Sequence, residues 1–466
     1  MEALATQKLL HKYNTAGPRY TSYPTAPMWQ DTYNADIHKQ VIRDTNDRAK
    51  PNPHPLSLYA HLPFCEQRCL FCGCNVVITQ QREHAEKYLG YLFRELEQVA
   101  ALVDTSRPVV QFHWGGGTPT YLSEAQMARL FHYQTQLFKL APEAEVAIEV
   151  DPRVTTEGQI TLLKELGFNR ISLGVQDFNA QVQETIHRVQ PLDMTTRMVE
   201  HIRSLGFEGL NFDLIYGLPF QTVESFTQTV KEVIALNPDR IALYSYAHVP
   251  WLSPHQNQIP EAALPETETK FRILQTALEM LMAAGYLYIG MDHFAKPHDE
   301  LSQALKNGNL HRNFMGYTVQ QGKVLPSDLY GFGVSAISGF QGQFAQNQRK
   351  LPQYYEAIDA GRLPTMRGYI LSEEDRLRQQ VIMSILCQGE LDYASFQQRF
   401  GIDFKAHFAD ALAQLEEMTQ DGLVHLTATR LQVTPLGRLF SRNIAMPFDA
   451  YLPQMSGNRP TFSKTV

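Results

Sequence analysis

Between residue 55 and about residue 247, short apolar runs alternate with longer stretches of helical periodicity. Segments 56–61, 109–113, 146–150, 170–173, 210–215 and 241–246 are dominated by aliphatic and aromatic side chains, as in strands buried on both faces. Leu89, Leu92, Phe93, Leu96 and Val99 recur at helical spacing. Ser123 with Gln126, and Thr156 with Gln159, fit capping boxes that open helices. Strand and helix alternating six times predicts a parallel sheet with right-handed crossovers. Six repeats fall short of a closed eight-fold barrel, so the expected fold class is α/β, built on an open, curved (β/α)6 sheet.

The flanks read differently. Residues 1–50 show little periodicity, and the run Gly17-Pro18-Arg19-Tyr20-Thr21-Ser22-Tyr23-Pro24-Thr25-Ala26-Pro27 predicts an extended strap rather than a helix. Segment 250–365 is mixed, with a helix near 266–284 and then loops carrying Asp292-His293 and His311-Arg312-Asn313. The small-residue run from Gly331 to Ser338 predicts a close backbone approach to a ligand. Beyond about 370, helical patterns give way to a short hairpin and a helix opening at Thr434-Pro435, a winged-helix-like order. The expected division is an N-terminal strap (1–50), a catalytic domain (51–365) and a smaller, mostly helical C-terminal domain (366–466).

Composition narrows the function. A chain of 466 residues, 44% hydrophobic, is long enough for a large core and two domains. A net charge of −7 and the lack of any Lys/Arg run argue against nucleic-acid binding, and make a lid or cap the better reading of the C-terminal module. No basic-then-apolar leader opens the sequence and no 18-residue apolar run interrupts it, so a cytoplasmic protein without a membrane span is expected. The absence of internal repeats and long heptads makes a monomer the expectation.

The chemistry concentrates in Cys65-Glu-Gln-Arg-Cys69-Leu-Phe-Cys72-Gly-Cys74. Cysteines spaced C-x3-C-x2-C can turn three thiolates toward one inorganic centre. A [4Fe–4S] cluster suits that spacing better than a lone tetrahedral zinc, although a structural zinc site using Cys74 as well stays open. Three cysteines for four irons leave one iron free for a ligand. Parallel sheets present reactive groups at strand carboxyl ends. There the sequence places the cysteine loop, Gly115-Gly116-Gly117-Thr118-Pro119-Thr120, Glu149-Val-Asp151-Pro-Arg153, Gln176-Asp177, Asp213 to Gly217, and Ala247-His248. Taken singly, each polar residue among them is an ordinary strand-end residue; together they imply one open mouth.

These motifs, with the Tyr20-to-Pro27 strap, resemble the radical S-adenosylmethionine (SAM) enzymes, and more narrowly the oxygen-independent coproporphyrinogen III oxidase family of haem synthesis. The resemblance implies a three-quarter barrel carrying one [4Fe–4S] cluster on Cys65, Cys69 and Cys72. It implies a first SAM held by Tyr59, Gly116, Glu149 and Ile337. It further implies a second SAM at Phe71, Gly117, Thr118, Gln176, Arg188, Asp213 and Ala247. The implied reaction converts coproporphyrinogen III to protoporphyrinogen IX through a 5′-deoxyadenosyl radical, drawing on an unidentified reductant and electron acceptor. No side chain is assigned as catalytic, since the radical chemistry belongs to the cofactors. Arg19, His293, His311 and Arg312 are candidates to meet the substrate carboxylates, with loop hydrogen bonding an equal alternative for the histidines. A haem-binding chaperone of the same superfamily is the competing reading; Cys74 and the strap favour the oxidase. Two features depart from the family pattern: 442–449 lacks the cysteines often found there, and the insert 322–331 is longer than usual.

Overall fold

The computed structural model describes residues 7–47, 49, 52–319, 326–454 and 462–465, so the first part of the 322–331 insert, 322–325, lies outside the described residues. The chain divides into two compact units, one drawn from 30–264 and 320–370, the other from 1–29, 265–319 and 371–466.

All six expected strands are present in the first unit. They are β1 (Leu56–Leu62), β2 (Val109–Gly116), β3 (Leu140–Val150), β4 (Arg170–Gln176), β5 (Gly209–Tyr216) and β6 (Arg240–Ser245), paired in parallel in that order. Several run longer than the apolar pattern indicates, because small and polar residues continue the ladder: β2 extends through two glycines and β4 through Gly174 to Gln176. Both capping boxes form as the spacing predicts, one on Ser123 and Gln126 and one on Thr156 and Gln159. Phe112 and Trp114 of β2 face Phe131 and Phe168 in the apolar layer behind the sheet.

Beyond the sixth repeat the chain returns to the opposite edge. Strand β7 (Asp328–Phe332) pairs in parallel with β1, and β8 (Ile337–Phe340), β9 (Gln343–Asn347) and β10 (Thr365–Ile370) follow antiparallel. Arg107, 5% exposed, and Asp328, 2% exposed, form a buried ion pair at the start of β7. Arg107 also donates to Asn46 Oδ1 at 2.7 Å and to the His54 carbonyl at 2.8 Å. The small residues of 331–338 serve this return. Gly331 lies against the Ile337 backbone, and Gly333, at φ 95°, leaves room for the Tyr88 hydroxyl and the His61 carbonyl. In this run Gly331 and Gly333 make room for other parts of the chain itself, backbone and side chain.

In the second unit the stretch of the N-terminal strap up to Trp29 is part of the core, whereas its remainder belongs to the first unit, where Ala35–Thr45 form a helix that the weak periodicity of 1–50 does not signal. Tyr20 and Tyr23 are buried together with Leu10, Tyr13 and the apolar faces of the C-terminal helices. Arg442 donates to the carbonyls of Gly17 and Pro18, and Asn443 to that of Tyr13, so this polar run fastens the strap. The C-terminal segment folds as helix Glu373–Met383, further short helices and a three-stranded sheet with Arg430–Val433 at its centre. Among the described residues, no helix is long and apolar enough to cross a membrane.

A carboxylate sits inside the first unit. Glu95 accepts from Tyr354 Oη at 2.6 Å, Asn347 Nδ2 at 2.6 Å and the Gly333 N–H at 2.7 Å. Burial nonetheless pushes its carboxyl up from 4.5 to about 7, against those three donors. The folded state therefore keeps this proton longer than the unfolded chain does. Stability from this group is present below about pH 4.5 and is lost as pH rises through about 7. Its size is about 3 kcal/mol. In urea denaturation at pH 5 and pH 8, the native chain is expected to lose more stability on going to pH 8 than Glu95→Gln does.

Candidate active site

The carboxyl ends of the parallel strands open on one cavity of about 720 Å³. Its lining contains Cys65, Cys69 and Cys72 together with Phe71, Gly116, Gly117, Thr118, Glu149, Gln176, Arg188 and Asp213. Tyr59, Ala247 and Ile337 do not line it. Tyr59 stacks on His113 with ring centres 5.9 Å apart and bonds His61 Nδ1 at 3.1 Å; the Ala247 carbonyl accepts from Gln256 at 3.4 Å; Ile337 begins β8.

The cysteine loop is fixed at several points. Its first residues form a short parallel ladder, Phe64 to Val77 and Cys65 to Ile78. The Leu70 N–H donates to the Ile186 carbonyl at 3.0 Å, and the Leu70 side chain is buried with Val182, Ile186 and Ile215. From the far side, His255 reaches the Cys72 carbonyl at 2.8 Å. Against this loop lies the glycine turn after β2. The Gly117 N–H donates to the Leu62 carbonyl and the Thr118 N–H to the Phe64 carbonyl, both at 2.9 Å.

Added side chains would crowd every glycine of that turn, most severely Gly116 with its positive φ and Gly117 against backbone. A Cβ on Gly115 would stand 2.8 Å from Glu149 Oε1, and one on Gly116, at φ 116°, 2.5 Å from the His61 ring. On Gly117 it would stand 2.6 Å from the Pro63 carbonyl carbon. Gly116 also donates its N–H to Glu149 Oε2 at 2.9 Å.

Charge is unevenly held around the cavity. Burial works against the Glu149 carboxylate, but His113 at 3.4 Å, the Gly116 N–H and His61 keep it below the ordinary range. Asp213, by contrast, is pushed up to about 7 by burial and then by Glu149, despite donors from Asn211 and Ser172. Asp151 is held down at about 2 against burial by Arg188 at 3.1 Å and Arg153 at 2.7 Å. Of the pair Gln176-Asp177, only Gln176 faces the cavity. Asp177 is buried behind it, accepting from Thr229, Gln221 and the Asn179 N–H. The strand bulges between Gly174 and Gln176, and Gln176 takes a left-handed φ of 67°.

Residues 59–233 match the Radical SAM superfamily, and residues 371–440 match the HemN C-terminal domain. The chain is 44% identical to the oxygen-independent coproporphyrinogen III oxidase of Synechocystis sp., over 98% of this chain and 97% of that protein. It is 45% identical to the Escherichia coli enzyme of that name, over 98% of each chain. The chain belongs to the oxygen-independent coproporphyrinogen III oxidase family. A solved structure of Escherichia coli coproporphyrinogen III oxidase, described as a radical SAM enzyme, matches with a TM-score of 0.89 at 43% identity, covering 97% of this chain and all of that one.

Membership of the radical SAM superfamily implies a [4Fe–4S] cluster and SAM, and the donors of this family member fit both. Three thiols sit on one cavity wall, yet among the described residues no three His, Cys, Asp or Glu side chains come close enough to hold a single ion. A cubane takes one thiolate per iron and needs no such convergence. Burial pushes the Cys65 thiol up to about 11, so a metal is what would hold it ionised. Cys74 acts as a neighbour: its N–H lies 3.4 Å from Cys72 Sγ, and its thiol holds Cys72 below the ordinary thiol range while its own value rises. For SAM, Arg188 Nε and Gln176 Oε1 are buried on the cavity wall without hydrogen-bond partners. Such orphaned groups are costly unless a ligand meets them.

The four candidate carboxylate partners all belong to the other unit. Arg19 pairs with Asp292, and His293 stands edge-on to Tyr317 at 5.3 Å. Burial lowers His311 to about 4. The buried Arg312 guanidinium lies 4.9 Å from the Tyr317 ring centre, with Nε and Nη1 unpartnered. Residues that the sequence passed over include His113, whose alternation along β2 places it opposite Tyr59, and His255, which carried no signal. Gly117→Ala is expected to leave the far-ultraviolet spectrum unchanged but to cut the iron taken up on anaerobic reconstitution by at least half. Gly73→Ala, whose Cβ meets nothing within 4 Å, should bind iron as the native chain does.

Proposed function

We propose that this chain decarboxylates two propionate side chains of coproporphyrinogen III to vinyl groups without oxygen, giving protoporphyrinogen IX. The observation that carries the proposal is the convergence of Cys65, Cys69 and Cys72 on the same cavity as two orphaned polar groups, in a chain 45% identical to a named oxidase along nearly its whole length. When bound, the cluster and SAM would supply 5′-deoxyadenosyl radical chemistry for hydrogen abstraction at the propionate β-carbon, with the remaining electron passing to the electron acceptor as carbon dioxide is lost.

The chain's own residues bind, orient and exclude water. In this reading Cys65, Cys69 and Cys72 hold the cluster, and Gly116 with Glu149 receives the first SAM. The ionised Glu149 accepts from an ammonium or hydroxyl group, while Tyr59 and Ile337 close that site from behind. A second SAM lies against Phe71, Gly117, Thr118, Gln176, Arg188, Asp213 and Ala247. Support for it comes from Arg188 Nε, a free donor for a carboxylate, and from Asp213, an acceptor for ribose hydroxyls. Arg19, His293, His311 and Arg312 remain the proposed partners of the substrate carboxylates. Thiols kept reduced and an oxygen-sensitive cluster accord with the cytoplasm.

The test is an anaerobic single turnover of the iron-reconstituted chain with dithionite, SAM and coproporphyrinogen III. Carbon dioxide, 5′-deoxyadenosine and a vinyl porphyrin are expected together, and none of them from Cys69→Ser. 5′-Deoxyadenosine without carbon dioxide, alongside tight haem binding, would replace the oxidase with a haem-binding role. Equilibrium dialysis of the same preparation should find two SAM per chain and a single one in Arg188→Ala.

A further inference from the structure

The turn Glu149-Val-Asp151-Pro-Arg153 that ends β3 holds a knot of charge to which the assignments above give no role. Arg153 grips Asp151 with a two-point fork, Nε to Oδ1 at 3.0 Å and Nη2 to Oδ2 at 2.7 Å, and its Nη1 donates to the His187 carbonyl at 3.2 Å. These contacts immobilise the guanidinium. Its Nη2 then also points at Cys69 Sγ, 3.3 Å away. Arg188, tied to the same Asp151, places Nη1 at 3.7 Å from that sulfur. The side chains of Arg153 and Asp151 are only 14% and 10% exposed, so water screens this charge weakly.

The other two ligand sulfurs are hydrogen-bonded by neutral groups. Cys65 Sγ faces the Thr118 hydroxyl at 3.4 Å, and Cys72 Sγ faces the Cys74 N–H at 3.4 Å. Two guanidinium groups against one carboxylate leave net positive charge beside Cys69, and of the three sulfurs only Cys69 is met by guanidinium N–H groups, although Arg68 and Arg188 also act on Cys72 through space. Adding an electron to a cluster places negative charge on its sulfurs, and donors to those sulfurs stabilise the reduced state.

We infer that Arg153 is a positioning residue for the incoming electron: its charge-assisted N–H···S hydrogen bond to Cys69 raises the reduction potential of the cluster and draws the added electron toward the iron that Cys69 holds. The inference rests on Cys69 being a cluster ligand. Asp151 serves as the strut that aims the fork.

The experiment uses the iron-reconstituted full chain without SAM, poised at a fixed potential, with reduced and oxidised cluster counted by electron paramagnetic resonance. Arg153→Met should lower the reduced-to-oxidised ratio about tenfold, the equivalent of 59 mV for one electron, and Arg153→Lys, which keeps the cation, should recover part of the loss. A ratio unchanged in Arg153→Met that still holds four irons overturns the inference. A second readout needs no variant. Native protein labelled with 15N-arginine should show a nitrogen hyperfine coupling to the reduced cluster, and its absence overturns the inference whether or not the variants fold. Native protein that takes up no cluster would instead defeat the assignment of Cys69 itself.

Discussion

Gly117 lies with its backbone against Pro63 and Phe64, and the rest of the site depends on that contact. The ends of β1 and β2 are hydrogen-bonded there, Gly117 to Leu62 and Thr118 to Phe64, immediately before Cys65 leaves the sheet. The cysteine loop therefore starts from a backbone that cannot shift without breaking the parallel ladder. A side chain at this position would separate the two strand ends, since a Cβ would fall 2.6 Å from a carbonyl carbon. Leu70, buried against Ile186 and Ile215, fixes the loop's middle, so the thiols are aimed at both ends of a short span.

On that frame, the cavity sorts its charges by their surroundings. Among the carboxylates that line it, Glu149, Asp151 and Asp213 are held in different states. Asp151 is kept ionised by two arginines, Glu149 by a histidine and a backbone N–H, and Asp213 is driven toward its neutral form by burial and by Glu149. The differences follow from desolvation, neighbouring charge and hydrogen bonding. They let one wall carry permanent charge near the cysteines while another stays able to accept or hold a proton.

Much of this was legible in the sequence because strand ends are local. The six apolar runs marked β1 to β6, and the motifs directly after them lie where parallel topology puts them. The capping boxes at Ser123 and Thr156 were legible for the same reason. The return of β7 to β10 to the β1 edge was not, since it depends on pairing across more than two hundred residues and on the buried Arg107–Asp328 ion pair. Nor could consecutive segments represent two units that interleave three stretches of one with two of the other. Arg153 stood in a quoted motif, but nothing in a linear pattern told that its Nη2 meets Cys69. The glycines of 331–338 were visible as a close approach, while their contacts with Ile337, Tyr88 and His61 were not.

The central claim is that Cys65, Cys69 and Cys72 would hold a [4Fe–4S] cluster and leave one iron without a protein ligand, open to SAM. Mössbauer spectroscopy of 57Fe-reconstituted protein, recorded before and after adding SAM, tests it most directly. The account predicts four irons per chain, with roughly a quarter of the spectral area shifting when SAM binds, and the same result in Cys74→Ser. Four irons that all ignore SAM, or loss of the cluster in Cys74→Ser, would contradict it, because Cys74 would then be the fourth ligand and no iron would be open.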